Sequence, residues 1–524
     1  ATVRNRESRS RNVGFIAGTP KRVDRQRPSP SRYASTSAFS PALHSRPSTS
    51  LQLRRNHLST RAVSVKAATF ATGAIGSIAL PVFACLPAVS GASWWHDAHD
   101  HSPPCRLVKK RRPRSASPGA PEAVLKHALC VVGKGYGFPS IFNADAVIQE
   151  QLRQGKTLED ARAGGCSGCV EVGAFGKEAY ILTGYFNLVK VLELTLHDGM
   201  DRCTGRQLGL RTGSPDSFRS FDELFAAFRR QLHHFIEIKL RGNQLIEQMY
   251  ALMMPAPFLS VITDDCIRKG KDYNAGGARY NNSYIQYVGI GSLTDSLSAV
   301  KQLVFDERSI SLGQLVTTLD ADFEDREVLR QRLLNRTHKY GNDDDYADEI
   351  MLRTFAALFE ETDGRPNIKG GEYRVEMLPT TCHVYFGSVT GATPDGRKAR
   401  RPLSEGISPV QGADRCGPTA VIKSAAKMDH IKTGGTLLNM KFTPSLVAGE
   451  GLDKWAHLVR SYFKMDGHHV QFNVVRAETL RKAQSDSENH RDLIVRVAGY
   501  SDYFCDLSLD LQEEIIARTE HQEI

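Results

Sequence analysis

Apolar residues recur at the three- and four-residue spacing of a helix over much of the chain after residue 120. The clearest case begins at Ser220, where Glu223 completes the sequence signature of a capping box. The apolar positions that follow predict one long helix that ends near Met253. The same spacing predicts shorter helices over residues 142–154, 157–163, 177–196, 289–305 and 507–518.

Short apolar runs with β-branched residues predict buried strands at 381–388, 470–475 and 493–497. Because long helical stretches separate these runs, we expect an α/β architecture. The glycines at 133, 135 and 137 predict a loop. The acidic run at 342–345 lacks the spacing of a calcium-binding loop, so helix capping explains it better.

The formal net charge of +10 comes from the N-terminal segment. Residues 1–120 contain 20 lysines and arginines against 4 acidic residues, whereas the other 404 residues contain 48 basic and 54 acidic side chains. Because the later part is acidic, we expect no nucleic-acid binding.

The first 120 residues predict a disordered basic leader. Residues 1–65 have the composition of an organelle transit peptide, which leaves two predictions for location: the cytoplasm, or an organelle if this segment is a targeting signal. Residues 67–92 carry no charge and are long enough to span a bilayer, but their glycines and prolines favour a translocation signal equally well.

The ten cysteines have no regular spacing, so the sequence does not predict a disulfide framework. Cys166 and Cys169 form a CxxC pair, which is typical of half a zinc site or of a redox pair. The sequence has no second CxxC, which excludes a zinc site built from two such pairs. We therefore expect no metal.

Two distant segments carry the clearest candidate chemistry. Residues 165–171, GCSGCVE, place Cys169 and Glu171 two positions apart, and on an extended loop both side chains would project to one side. Residues 496–504, RVAGYSDYF, place Gly499 between a predicted strand and an aromatic-rich turn. By itself this glycine indicates only a backbone position where a side chain would clash.

Together, the two segments resemble the motifs of the glycyl radical enzymes. The resemblance extends from about residue 125 to residue 524 and includes the segments at 271–280, 391–398, 402–406 and 435–439. It implies part of a ten-stranded α/β barrel over residues 121–480, after the leader at 1–120. It also implies a C-terminal glycyl radical domain over residues 481–524.

In that family the glycine of the RVxGY segment stores a radical on its α-carbon, and the cysteine of the GCVE loop becomes the thiyl radical that attacks the substrate. The resemblance therefore implies radical storage at Gly499, the thiyl at Cys169 and proton transfer by Glu171. It implies no bound cofactor, because a separate S-adenosylmethionine-dependent iron–sulfur activating enzyme installs the radical. The other implied partner is a small-molecule substrate. Whether the chain forms a homodimer stays open.

Dioxygen destroys glycyl radicals, so the resemblance implies that Gly499 is buried. Tyr500, Tyr503 and Phe504 follow it directly and are candidates to shield it. Ordinary core packing is the alternative role for these aromatic residues.

Within the family, the cysteine loop at 165–171 is similar to that of the dehydratases and lyases, because Val170 and not a second cysteine follows Cys169. Its longer context, with FGKEAY at 175–180, resembles the trans-4-hydroxy-L-proline dehydratases. In those enzymes the thiyl removes hydrogen from the ring carbon next to nitrogen, and loss of water gives pyrroline-5-carboxylate. On this match Tyr185 binds the substrate, with a buried core tyrosine as the alternative.

Two other functions stay open at this point. One is a different glycyl radical lyase or dehydratase, which acts on a diol or choline or resembles formate acetyltransferase. The other is a non-catalytic fragment that partners a separate N-terminal half, because the resemblance covers only the C-terminal half of the family fold.

Overall fold

The computed structural model describes residues 121–167, 169–447 and 449–524. The predictions of a leader, a transit peptide over 1–65 and an apolar segment at 67–92 lie outside the described residues. Within the described ranges, no helix combines the length and the apolar character that crossing a bilayer requires.

The helices are α1 (Glu122–Val131), α2 (Ala144–Arg153), α3 (Leu158–Ala163), α4 (Leu188–Leu196), α5 (Phe221–Met253), α6 (Pro257–Ile262), α7 (Cys266–Lys269), α8 (Ile290–Val300), α9 (Leu312–Asp320), α10 (Glu327–Asn335), α11 (Asp345–Thr362), α12 (Cys382–Ser388), α13 (Pro418–Ala426), α14 (Gly451–Lys464), α15 (Ala477–Ser485) and α16 (Leu509–Ala517). The strands are β1 (Ile141–Phe142), β2 (Gly165–Cys166), β3 (Val172–Gly173), β4 (Ile181–Asn187), β5 (Met200–Asp201), β6 (Arg206–Gln207), β7 (Ser283–Val288), β8 (Tyr373–Glu376), β9 (Asn439–Phe442), β10 (His469–Val474), β11 (Ile494–Arg496), β12 (Ser501–Tyr503) and β13 (Glu520–His521).

Two neighbouring sheets contain the parallel strands of the fold. Strands β4, β7 and β8 pair in that order, and both pairings are parallel. Strands β9 and β10 pair in parallel in the second sheet. A parallel bridge between Met377 and Thr436 joins the end of β8 to the segment before β9. Strand β13 pairs in parallel with the other side of β9, and β1 pairs antiparallel with β10. The α/β architecture predicted from the sequence is confirmed.

The strand register separates an apolar face from a polar one. Ile285 and Tyr287 of β7 belong to the large apolar core. The residue between them, Gln286, is paired with Tyr185 of β4 on one side and with Glu376 of β8 on the other. Because successive side chains of a strand point to opposite faces, Tyr185, Gln286 and Glu376 form a polar row on the face away from this core.

Helix α5 packs its N-terminal part against that core, as its apolar pattern predicts. The Ser220 side chain accepts a hydrogen bond from the Glu223 N–H, which is one half of the predicted capping box. The second predicted bond of the capping box, from the Ser220 N–H to the Glu223 side chain, is wrong. The Glu223 carboxylate accepts instead from the Arg219 N–H. Both bonds still satisfy donors at the start of the helix.

Most of the other predicted elements are confirmed within one to three residues at each end. They are the helices at 142–154, 157–163 and 507–518, the strands at 470–475 and 493–497, and the helix cap at Asp344. The helix predicted over 289–305 is also confirmed, as α8 followed by a π-helical turn over Lys301–Asp306. The loop predicted around the glycines at 133–137 is wrong in part, since Val132–Tyr136 form a π-helical turn before the chain opens.

Two predicted elements are wrong. The helix predicted over 177–196 begins only at Leu188, because residues 181–187 form β4 and pair with β7. The strand predicted over 381–388 is helix α12, which starts after a left-handed turn at Thr380. Both errors concern short apolar runs, for which periodicity does not separate a strand from a buried helix.

Substitution of Leu224 by alanine should lower the free energy of unfolding by about 2–5 kcal/mol, because its fully buried side chain fills the core beneath α5. Leu252→Ala on the same helix is the matched control, since Leu252 is 83% exposed and its loss should change stability by no more than about 0.5 kcal/mol. Urea denaturation measures both, and equal effects would contradict this packing.

Candidate active site

The two motifs that the sequence singles out meet in the structure. Gly499 is buried at the turn between β11 and β12, with a left-handed φ of +86°. A β-carbon added to Gly499 would lie 2.6 Å from Cys169 Sγ and 2.9 Å from Cys169 Cα, which no real side chain could do. A carbon–carbon bond is about 1.5 Å long, so Sγ lies within about 4.1 Å of the Gly499 α-carbon. These two atoms are in van der Waals contact.

Amide side chains from the parallel strands hold the glycine turn. Asn439 of β9 donates to the Val497 carbonyl at 3.0 Å. Asn473 of β10 binds both the N–H and the carbonyl of Arg496, each at 2.7 Å. Without these bonds, the buried N–H and carbonyl groups of Arg496 and the carbonyl of Val497 would lack partners. The bonds therefore hold the turn against strands β9 and β10.

Gln471 of β10 is the third amide under this turn. Its Oε1 accepts from the Gly499 N–H at 3.3 Å and from Arg496 Nε at 2.7 Å. Burial lowers the pKa of Arg496 to about 10, so the guanidinium stays charged at neutral pH. The Arg496 guanidinium is therefore a buried cation next to the glycine turn. Gln471 Oε1 accepts hydrogen bonds from both this cation and the Gly499 N–H.

The cysteine loop connects the short antiparallel strands β2 and β3. His468 Nε2 lies 3.0 Å from the Val170 carbonyl, and its Nδ1 lies 2.8 Å from the carboxylate of Glu150. Because a carbonyl only accepts, Nε2 carries the hydrogen of the first bond. Both His468 and Glu150 are buried. Their hydrogen bonds hold the cysteine loop in place through the Val170 carbonyl.

Glu171 lies under the same loop in an arrangement that the sequence did not predict. One of its carboxylate oxygens, Oε2, accepts from Ser167 Oγ at 2.6 Å and from the N–H groups of Cys169 and Val170 at 3.2 and 3.1 Å. The expected extended loop is wrong, because residues 169 and 170 form a bend. The carboxylate therefore turns back toward the cysteine backbone and stays beside Cys169.

The environment of Cys169 favours the protonated thiol. Burial raises the pKa of Cys169 well above its usual range, and the negative charges of Glu171 and Glu376 raise it further. The side chain is partly buried. A thiol that keeps its S–H bond can give up a hydrogen atom, whereas a thiolate cannot.

Tyr185 lies in the same site. Its hydroxyl is 2.7 Å from Thr380 Oγ1, and its ring is partly buried on β4. Burial raises the pKa of Tyr185, and Cys169 and Glu376 are near enough to affect it. The structure thus brings all four residues singled out in the sequence, Cys169, Glu171, Tyr185 and Gly499, to one place.

Sequence reasoning missed Glu376, which is fully buried on β8. One of its oxygens lies 3.4 Å from the Tyr180 hydroxyl, and the other has no hydrogen-bonding partner among the described residues. Burial raises the pKa of Glu376 well above its usual range, and the charge of Glu171 raises it further. An acidic residue in the segment YRVEML at 373–378, which is otherwise apolar except for Arg374, is the signal that could have pointed to it.

The expected aromatic shield is only partly present. Phe504 is fully buried and Tyr500 is partly buried, but Tyr503 is 48% exposed. Tyr503 therefore does not act as part of a buried shield over Gly499, because nearly half of its side chain faces solvent. The described residues contain no group of three or more side chains placed to hold a metal ion.

Substitution of Gly499 by alanine should destabilise the protein by about 2–4 kcal/mol, because a left-handed backbone and a clash with Cys169 act together. Gly364→Ala is the control: its φ is +76° but nothing lies within 4 Å of the added carbon, so only about 1 kcal/mol should be lost. Chemical denaturation compares the two. Equal losses would show that residue 499 is not packed against the cysteine.

Substitution of Asn473 by alanine should speed hydrogen exchange in the peptide that covers residues 494–503, because the N–H and the carbonyl of Arg496 lose their partner. Mass spectrometry of deuterated protein measures this directly. Asn489→Ala, which removes an exposed amide bonded only to Asp486, should leave the exchange of that peptide unchanged.

Two family models match the chain. Residues 115–387 match the model described as pyruvate formate lyase-like, and residues 403–505 match the model described as glycine radical. The second of these ranges contains Gly499, and the first contains Cys169 and Glu171.

Curated relatives support the same grouping. The chain is 57% identical over 416 residues to trans-4-hydroxy-L-proline dehydratase of Clostridioides difficile, which covers 79% of this chain and 53% of that protein. It is 37% identical over 408 residues to (2S)-3-sulfopropanediol dehydratase of Klebsiella oxytoca, which covers 76% of this chain and 49% of the relative.

Solved structures show the same fold. Hydroxyproline dehydratase from Clostridioides difficile, with its substrate trans-4-hydroxy-L-proline bound, matches with a TM-score of 0.76 and 58% identity over 77% of this chain and 51% of that one. The B12-independent glycerol dehydratase from Clostridium butyricum matches with a TM-score of 0.74 and 41% identity, at 77% and 51% coverage. The chain thus spans about half the length of the relatives it matches. With both family models present and the glycine in contact with the cysteine, the chain belongs to the glycyl radical enzymes.

Proposed function

We propose that this chain carries the radical centre of a hydro-lyase that dehydrates trans-4-hydroxy-L-proline to pyrroline-5-carboxylate. The observation that carries the proposal is the contact between the Gly499 α-carbon and Cys169 Sγ, with the Glu171 carboxylate beside them. Hydrogen-atom transfer between the sulfur and the α-carbon needs this contact, because the hydrogen atom moves directly between them over a distance shorter than a hydrogen bond.

Glycine suits radical storage because the flanking amide groups delocalise the unpaired electron and no side chain twists the centre. In the proposed reaction, the Gly499 radical takes the hydrogen atom of the Cys169 S–H bond. The Cys169 thiyl then takes a hydrogen atom from the ring carbon next to nitrogen. At the end of the cycle Cys169 returns a hydrogen atom to the product radical, and Gly499 returns its own to Cys169.

Between these transfers, a C–O bond breaks at the carbon that carries the hydroxyl group. This carbon neighbours the ring carbon that has lost its hydrogen atom. Glu171 supplies the proton with which the hydroxyl leaves as water. The ring nitrogen loses a proton as the imine forms, and that proton restores Glu171. The sum is one hydroxyproline converted to one pyrroline-5-carboxylate and one water, with the glycyl radical regenerated.

The substrate is proposed from the 57% identity to the Clostridioides difficile enzyme and from the place of Tyr185 in the site. Tyr185 reaches the face of β4 that carries the polar row and lies near Cys169 and Glu376. On this proposal the Tyr185 hydroxyl binds a polar group of the substrate, and the burial of the neighbouring groups keeps water from the radical.

The proposed partners follow from the same chemistry. A separate S-adenosylmethionine-dependent iron–sulfur enzyme generates the radical at Gly499, and the barrel is completed by the N-terminal half of the fold. We further propose that the enzyme acts in the cytoplasm.

Anaerobic incubation with an activating enzyme, with and without the N-terminal half supplied as a second polypeptide, tests the proposal. Electron paramagnetic resonance should show a doublet from the α-hydrogen of Gly499, and mass spectrometry should show pyrroline-5-carboxylate. Glycerol and 1,2-propanediol, offered in parallel, should give no product. Product from a diol alone would assign a different dehydratase.

Cys169→Ala is the decisive variant, because the activating enzyme acts on Gly499 directly. It should keep the doublet and lose all product, whereas Gly499→Ala should lose both signals. A wild-type chain that shows no doublet under conditions that activate a known family member would contradict the proposal and leave a non-catalytic fragment.

A further inference from the structure

Strand β4 is irregular just before Tyr185. Leu182 pairs with Tyr284 of β7, and Tyr185 pairs with Gln286. Between these two pairs, β4 has two residues where β7 has one, so the register shifts by one residue. An extra residue of this kind is a β-bulge, which bends the strand and redirects the side chains that follow it.

The bulge decides which face of the sheet Tyr185 occupies. Successive side chains of a regular strand alternate between faces, so Leu182 and Tyr185, three positions apart, would point to opposite faces. With the extra residue both point to one face, and Phe186 points to the other, where its ring centroid lies 5.3 Å from that of Tyr287 in the apolar core. If β4 were regular with Leu182 in its present pairing, Tyr185 would enter this core and Phe186 would join the polar row.

Two side chains bond to backbone groups at the bulge, which consists of Thr183 and Gly184. Thr183 Oγ1 donates to the Tyr284 carbonyl at 2.8 Å. Lys239 Nζ, from α5, donates to the Thr183 carbonyl at 2.5 Å. Gly184 has a left-handed φ of +92°, and a β-carbon added to it would lie 3.1 Å from Lys239 Nζ. Lys239 therefore lies directly against the bulge.

Lys239 occupies an unusual position for a lysine. Its side chain is half-buried, and burial lowers its pKa. Among the residues that the structure describes, no charged group offsets this effect. Lysines are normally exposed unless their charge is paired, so the bond to the Thr183 carbonyl is the contact that accounts for the position of Lys239.

We propose that Lys239 is a positioning residue: through the Thr183 carbonyl, it holds the bulge in the form that directs Tyr185 into the active site. There the Tyr185 hydroxyl lies 2.7 Å from Thr380 Oγ1, near Cys169. The role of Tyr185 in substrate binding rests on the proposed function, whereas its placement by the bulge does not.

A purely structural role for Lys239 predicts a different behaviour. If Lys239 only ties α5 to β4, its loss should add to the effect of any change at Tyr185, because independent effects on stability add. If it holds the geometry in which Tyr185 reaches Thr380, removal of the Tyr185 hydroxyl should matter little once Lys239 is gone. The dependence of one substitution on the other therefore separates the two roles.

A double-mutant cycle on the 524-residue chain tests the proposal without catalysis. Hydrogen exchange of the peptide that covers residues 181–187, measured by mass spectrometry, reports the opening of β4. Tyr185→Phe should speed this exchange about fivefold in the otherwise wild-type chain, as expected for the loss of one hydrogen bond. In the Lys239→Met background it should speed exchange by less than about twofold. Equal effects in both backgrounds, or a Lys239→Met variant that exchanges like the wild type, would overturn the proposal.

Two further variants show whether the effect belongs to Lys239. Lys239→Arg keeps a donor at this position and should restore the full effect of Tyr185→Phe. Arg241→Met is the matched control, because Arg241 is exposed on the same helix, and it should leave both the exchange and the effect of Tyr185→Phe unchanged. If Arg241→Met weakened the effect of Tyr185→Phe as much as Lys239→Met does, the assignment to Lys239 would be wrong.

Gly184→Ala tests the bulge by a second route. A left-handed backbone disfavours alanine, and the new β-carbon would press against Lys239 Nζ, so the effect of Tyr185→Phe should again fall below about twofold. Gly155→Ala is its control, because the φ of Gly155 is +83° and nothing lies within 4 Å of an added β-carbon. This variant should leave the exchange of residues 181–187 unchanged. An effect of Tyr185→Phe as large in Gly184→Ala as in the wild type would show that the bulge does not place Tyr185.

The activated protein tests the link to the substrate. Lys239→Met should raise the KM for trans-4-hydroxy-L-proline at least about fivefold, as expected if one hydrogen bond to the substrate is lost. It should leave the Gly499 doublet unchanged. A KM within about twofold of the wild type would overturn the role in substrate binding. Wild-type protein that gives no product would instead contradict the proposed function, and the exchange cycle would still decide the placement of Tyr185.

Discussion

The site depends on a close approach between two backbone turns that leaves no space for a side chain. At residue 499 a β-carbon would overlap both the sulfur and the α-carbon of Cys169, and the left-handed backbone there already disfavours every residue except glycine. The same absence of a side chain lets the glycine α-carbon reach the sulfur. One geometric requirement therefore serves both the packing and the proposed hydrogen-atom transfer.

Holding two such turns in contact requires a rigid support on both sides. On one side the amides of Asn439, Gln471 and Asn473 fix the glycine turn to the parallel strands β9 and β10. On the other side His468, with Glu150 behind it, fixes the cysteine loop through the Val170 carbonyl. Since His468, Gln471 and Asn473 belong to one segment of chain at β10, that segment sets the distance between the turns. Buried networks of hydrogen bonds between side chains and backbone specify one arrangement.

Burial has the same electrostatic effect throughout the site. The pKa of Cys169, of Tyr185 and of Glu376 is raised, so each of these groups keeps its proton more firmly than in water. A protonated thiol is the form that radical transfer needs. Burial, together with the Glu171 carboxylate, therefore opposes ionic thiol chemistry at Cys169, such as disulfide exchange, and favours the loss of a hydrogen atom. This distinction separates Cys169 from an ordinary reactive cysteine.

The sequence by itself singled out the residues that we propose to carry the chemistry. Cys169, Glu171 and Gly499 lie in short motifs whose residue types are chemically required, and helix α5 follows from a long regular pattern that no other element imitates. The sequence could not determine that 181–187 is a strand or that 381–388 is a helix, because short apolar runs take the form that their neighbours impose. It gave no sign of Gln471 or Asn473 as parts of the site, and only an acidic residue among apolar neighbours pointed to Glu376. Their positions come from strand register and from contacts between residues far apart in the chain, and only tertiary structure decides those.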